Sequence, residues 1–112
     1  MVAPVDFVQG TLDVVVLQAV SHGPVHGYDV ARFIHEHSDG TLRVLDGALY
    51  TALHRLEARG WVAAEWGLSE KGKRAKFYRL TTAGRRALKA EIASWAAYVH
   101  AMGKVLSAKP QG

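Results

Sequence analysis

The sequence predicts a mainly α fold with a small β element, of the α+β class, and three observations carry that prediction. Apolar residues recur at helical spacing in three short segments before Gly60. The pattern then changes to aromatic and β-forming residues in two short runs. After Thr81 one long segment repeats Leu88, Ile92, Trp95, Val99, Met102 and Leu106 at intervals of four and three. A chain of 112 residues fits one compact domain plus an appended helix, since a second core would be undersized.

Thr11 stands where its side-chain oxygen can cap a first helix, and Leu12, Val15, Val16 and Ala19 mark its apolar face until Gly23-Pro24 stops it. A second helix runs from about Gly27 to His37 with Tyr28, Ala31, Phe33 and Ile34 mostly on one side, and Ser38-Asp39-Gly40 ends it with turn-forming residues. Asp46 or Gly47 opens a third, whose Leu49, Ala52, Leu53 and Leu56 follow an i, i+3, i+4, i+7 pattern and which Gly60 closes. Its other face carries Tyr50, Thr51, His54 and Arg55. Trp61 to Trp66 and Phe77 to Leu80 read as strands, joined by a long turn from Gly67 to Ala75 that holds Lys71, Gly72, Lys73 and Arg74. Thr81 caps the last helix.

Helix, helix, helix, strand, strand is the order of a winged helix-turn-helix, so residues 1–81 are assigned to that domain, 82–108 to the long helix and 109–112 to a tail. A helix leaving so small a domain cannot bury a seam of this length on its own chain. Leu88, Ile92, Trp95, Val99, Met102 and Leu106 are therefore expected to pack on a second copy, as a dimerisation helix.

Charge is divided unevenly. Residues 1–59 hold four basic against seven acidic residues, a net of −3, and residues 60–112 hold ten against three, a net of +7. Lys71, Lys73, Arg74, Lys76, Arg79, Arg85, Arg86 and Lys89 follow one another without an intervening acid. Such a block suits a polyanion, or serves as a solvated face that keeps the protein soluble. Cysteine is absent, which excludes disulfides and thiolate metal sites. Apolar stretches such as Val14 to Leu17 are far too short to cross a bilayer, and residues 1–10 lack a basic segment followed by an apolar run. The expectation is a cytoplasmic protein with no membrane partner and no cofactor.

Four runs then resemble the PadR-like family of transcriptional regulators: Gly10-Thr11-Leu12-Asp13, Gly23-Pro24-Val25-His26-Gly27-Tyr28-Asp29-Val30-Ala31, Gly47 to Glu57, and Lys76 to Gly84. They occur in the family's order and cover nearly the whole chain. The short length resembles the smaller subgroup with a single C-terminal helix. Where the family often has proline before the Gly-Ala-Leu-Tyr run and after its tyrosine, this chain has Asp46 and Thr51. Asp46 retains capping chemistry, while Thr51 changes a residue on the DNA-facing side and hence the target sequence.

In a helix-turn-helix the second helix of the pair enters the major groove, which makes the third helix here the reader of an operator in double-stranded DNA. Tyr50, Thr51, His54 and Arg55 are its candidate contacts. Arg55 suits a bidentate contact to guanine or a phosphate clamp; the other reading pairs it with Glu57, Glu65 or another acid. Tyr50 either reads DNA or packs its ring and keeps its hydroxyl wet. Lys71, Lys73, Arg74 and Lys76 of the wing would contact phosphates and add salt-dependent affinity with little sequence information.

Trp95 lies mid-seam among Ala93, Ala96 and Ala97, so two indoles could meet near a dimer axis. It is either a large dimer-core residue or the wall of a pocket for a small planar aromatic effector, and the family resemblance implies that some members sense phenolic acids or planar drugs this way. Trp61 and Trp66 read as core and wing packing. Six histidines suggest metal, but Gly23 and Pro24 break any helix aligning His22 with His26, and nothing completes a shell. His26 reads as a structural loop residue. No nucleophile with its base and orienting acid is recognisable, so an enzyme is not expected. The expected function is a homodimeric DNA-binding repressor released by an aromatic effector. The alternative is a dimeric winged-helix interaction module without sequence-specific readout.

Overall fold

The computed structural model describes residues 10–110. Helices α1 (Leu12–Ala19), α2 (Gly27–His37) and α3 (Asp46–Ala58) are followed by strands β2 (Val62–Leu68) and β3 (Arg74–Leu80) and by helix α4 (Thr82–Ser107), with a two-residue strand β1 (Val25–His26) between α1 and α2. The arrangement is the α+β winged helix-turn-helix that the sequence predicts.

Several local expectations are corrected. The sheet has three strands in the order β1-β3-β2, all antiparallel, because Val25 and His26 pair with Tyr78 and Phe77. The turn expected over Gly67 to Ala75 contracts to residues 69–73, since the β2–β3 ladder continues through Gly67↔Ala75 to Leu68↔Arg74. Ser69 closes the turn: its N–H donates to the Lys73 carbonyl (2.8 Å), its carbonyl accepts from Gly72 N–H (2.9 Å), and its Oγ accepts from Lys73 N–H (3.2 Å). Gly72 has φ +74°, which glycine adopts at little cost. Helix α1 ends at Ala19 rather than at Gly23, and Thr11, at its N-cap, makes no side-chain capping bond. Asp46 is the first residue of α3, where its charge favours the positive helix end, and Leu45 occupies the N-cap.

Helix ends are otherwise closed as their sequences imply. Trp61 N–H donates to the Leu56 carbonyl and Gly60 N–H to the Glu57 carbonyl, both at 3.0 Å, with Gly60 at φ +78°; this is a Schellman closure of α3. Asp39, at φ +53°, closes α2 in the same way through Gly40 N–H to the His35 carbonyl (2.8 Å). His26 caps α2 through Nδ1, which accepts from Tyr28 N–H at 3.1 Å, and its ring meets Phe77 edge-on.

One core joins the elements. Val16, Leu17 and Val20 of the α1 segment, Val30 and Ile34 of α2, Leu49, Ala52, Leu53 and Leu56 of α3, and Val62, Tyr78 and Leu80 of the sheet are buried together. Helix α1 packs on α2, α3 and α4. Tyr28, expected on the apolar side of α2, instead faces solvent. Leu88, expected in the intermolecular seam, is only 9% exposed because it completes the core of its own domain. Beyond Glu91 every residue of α4 is exposed, so the helix projects and stretches the molecule to 65 × 34 × 21 Å.

Candidate nucleic-acid interface

The buried stripe of α3 dictates what its other sides can do. Thr51 and His54 point away from Leu49, Ala52, Leu53 and Leu56 and are exposed. Tyr50 and Glu57, seven residues apart, share one flank; Arg55 and Arg59 share the other. The structure thus divides the four residues predicted on this face into an outward pair and two anchored flanks.

On the first flank the Tyr50 ring lies over the backbone of Gly27, so closely that a Cβ there would stand 2.7 Å from its hydroxyl oxygen. Glu57 pairs with Lys76 of β3 at 3.7 Å. Both lie near the buried Tyr78, whose phenol is raised above its ordinary pKa by burial first and then by Tyr50 and Glu57. On the second flank Asp13 of α1 accepts from Arg55 twice, from Nη2 at Oδ1 and from Nε at Oδ2 (3.2 Å), and from Arg59 Nη1 at Oδ2 (3.4 Å). The Asp13 hydrogen bond raises the Arg55 pKa above its usual value, although burial opposes this.

Arg55 is therefore half occupied: its side chain is 40% exposed while that of Asp13 is 16% exposed. The acid that holds it was missed in the sequence. Its only local signal is a carboxylate inside the apolar run Leu12-Asp13-Val14. Replacing Arg55 by alanine should cost about 1 kcal/mol of stability, because a mostly covered carboxylate loses its two-pronged partner. Denaturant midpoints check this, and Arg55→Lys should recover only part of the loss because it keeps the charge without the fork.

The four wing cations also separate. Lys71 and Lys73 sit exposed in the turn, with no ion pair among the described residues. Arg74 and Lys76 belong to β3: the Arg74 guanidinium lies 4.5 Å from the Trp66 ring centroid, and Lys76 reaches Glu57 and the Tyr78 ring. Trp66 is not packed as expected but exposed, whereas Trp61 is partly covered against the core.

Along α4, Ile92, Trp95, Val99, Met102 and Leu106 form an exposed apolar stripe. Trp95 and Tyr98 (ring centroids 5.9 Å apart) border an open groove of about 370 Å³ whose other wall is Gly10, Thr11 and Val14. Among the described residues no group of three or more His, Cys, Asp or Glu is placed to hold a metal, and no helix is long and apolar enough to cross a membrane.

A three-helix core with a cationic hairpin beside an outward polar helix face defines a winged-helix protein of the DNA-binding class. More narrowly, the chain belongs to the Transcriptional regulator PadR-like family, whose profile matches residues 16–90. It is 34% identical over 83 residues to Transcriptional regulator Rv3488 of Mycobacterium tuberculosis, covering 74% of each chain. Its structure is similar to a transcriptional regulator from Clostridium thermocellum (TM-score 0.78, 27% identity, 86% of this chain and 93% of that one). It is also similar to a PadR family transcriptional regulator from Eggerthella lenta (TM-score 0.77, 31% identity, 90% and 86%). The protein is thus a DNA-binding regulator of transcription.

Proposed function

We propose that this regulator is a cytoplasmic homodimeric repressor that binds a two-fold symmetric operator and is released by a small planar aromatic effector. The observation that carries the DNA reading is the outward placement of Thr51 and His54 on α3, beside a wing tied to the same helix through Lys76 and Glu57. Thr51 and His54 supply the base-reading groups. Tyr50 and Arg55 support that face from its flanks and offer their exposed edges to the nearest phosphates. Lys71 and Lys73 add electrostatic affinity from the wing tip.

The exposed stripe on α4 supports the dimer: apolar residues repeat every three and four positions, and the chain does not cover them. The groove at Trp95 and Tyr98 supports the effector, since two indole-lined grooves brought together around a dimer axis suit a flat aromatic molecule. Release requires that the effector bind the DNA-free arrangement more tightly, because equal affinity for both states shifts nothing.

The decisive experiment titrates the purified protein into duplex DNA from upstream of its own gene and into a scrambled duplex. Tight binding to the first and weak binding to the second is expected; equal, weak binding to both would defeat the repressor reading. Replacing Lys71 and Lys73 together by glutamine should weaken both complexes and reduce the slope of log K against log salt by about two. An unchanged slope would remove the wing tip from the interface.

A further inference from the structure

Trp66 is an exposed indole on the strand face whose preceding residues, Val62 and Ala64, are covered. Strand β2 directs Val62, Ala64, Trp66 and Leu68 to one face. Val62 and Ala64 lie against the core, whereas Trp66 is 59% exposed and Leu68 more so, because the hairpin continues past the last core residues of both strands. The cross-strand partners on that face are Lys76 opposite Trp66 and Arg74 opposite Leu68. Arg74 crosses diagonally to lie over the indole, and Lys76 ties the same face to α3 through Glu57. The only acid of the two strands, Glu65, alternates onto the opposite face. The strands of the wing thus present one apolar ring and two cations on the side anchored to the helix proposed to read DNA, Lys76 paired there with Glu57 and Arg74 stacked on the ring.

This surface rests on the DNA-binding reading above, and its positive charge fits the phosphate backbone of a duplex. We infer that Trp66 and Arg74 act as one DNA-contacting unit: the stacked guanidinium directs its N–H edge to a phosphate oxygen while the indole edge lies against the neighbouring deoxyribose. A guanidinium already laid on a ring has surrendered most of its rotamer freedom before binding, so less is lost when it meets the phosphate. Closure on DNA dries the ring and strengthens the cation–π contact. Lys76, held by Glu57, sets the angle of the wing and is a positioning residue.

The test uses the full chain and the two labelled duplexes already named, at several salt concentrations. Trp66→Ala should weaken binding to both about tenfold with little change in salt slope. Arg74→Gln should weaken it similarly and lower the slope by about one. The double variant should be little worse than either single one, and Trp66→Phe, which keeps a ring, should retain most of the affinity. Circular dichroism melts establish that each variant is folded; were Trp66→Ala not folded, Trp66→Phe and Arg74→Gln would decide. Wild-type affinity in Trp66→Ala and Arg74→Gln, or fully additive losses in the double variant, would overturn the unit while leaving the DNA reading intact. A wild-type protein that binds neither duplex would overturn the DNA reading and this inference with it.

Discussion

Replacing Gly84 by alanine is expected to destabilise the protein by about 3 kcal/mol or more, lowering its thermal midpoint by about 10 °C or more. A Cβ on Gly84 would stand 1.9 Å from the Trp61 carbonyl oxygen and 2.9 Å from its carbon. The obstacle is backbone, so no side-chain rotation relieves it. Nor can the two segments part easily. Thr81 N–H donates to that same Trp61 carbonyl (3.1 Å), Thr81 Oγ1 donates to the Gly60 carbonyl (2.6 Å), and Gly84 N–H donates to Thr81 Oγ1 (3.0 Å). Moving α4 away would break the cap of the long helix and its tie to the end of α3, and would draw Leu88 from the core. A thermal melt of Gly84→Ala within a few degrees of the wild type would show that the close approach is dispensable.

The same glycine illustrates what was legible in the sequence. Within the motif Thr-Thr-Ala-Gly it reads as a helix residue of poor propensity, and its reason is a carbonyl 23 positions earlier that no local pattern reveals. Gly67 misleads in the opposite direction. It suggests a turn, yet it lies in β2, where the Phe77 ring comes within 3.2 Å of the place a Cβ would occupy; the turn glycine is Gly72. That displacement is why the sequence alone makes the strands of the wing too short and its turn too long, with Arg74 in the loop rather than in β3. Strand β1 was missed because two residues carry no period. Helices α2, α3 and α4 were legible because periodicity and end chemistry agree, down to Thr81 as the cap of α4. At the candidate site the polar side of α3 was legible, but its division was not: Arg55 finds Asp13 across 42 residues of sequence, and Tyr50 finds Gly27 on another helix.

Introducing a charge at Val99 is expected to have the largest functional effect, converting the proposed dimer to monomers and weakening operator binding by at least about 100-fold. The expectation follows from where the helix stops touching its own domain. Leu88 is the last residue of α4 in the core, and from Ile92 onward the apolar positions are exposed. Val99 lies outside the core of the domain, while in a paired seam glutamate there would place a carboxylate among apolar side chains. The DNA-binding domain should melt normally as a monomer, which separates this variant from Gly84→Ala. Each monomer would still present Thr51, His54 and the wing, so weak binding to a half-site should persist with a reduced salt slope. What disappears is the second half-site held at high effective concentration. Light scattering on the eluting peak reads the mass, and titration against the upstream duplex reads the affinity. A Val99→Glu protein that remains dimeric, or a monomer that binds the operator as tightly as the wild type, would defeat the seam and with it the two-fold symmetric operator.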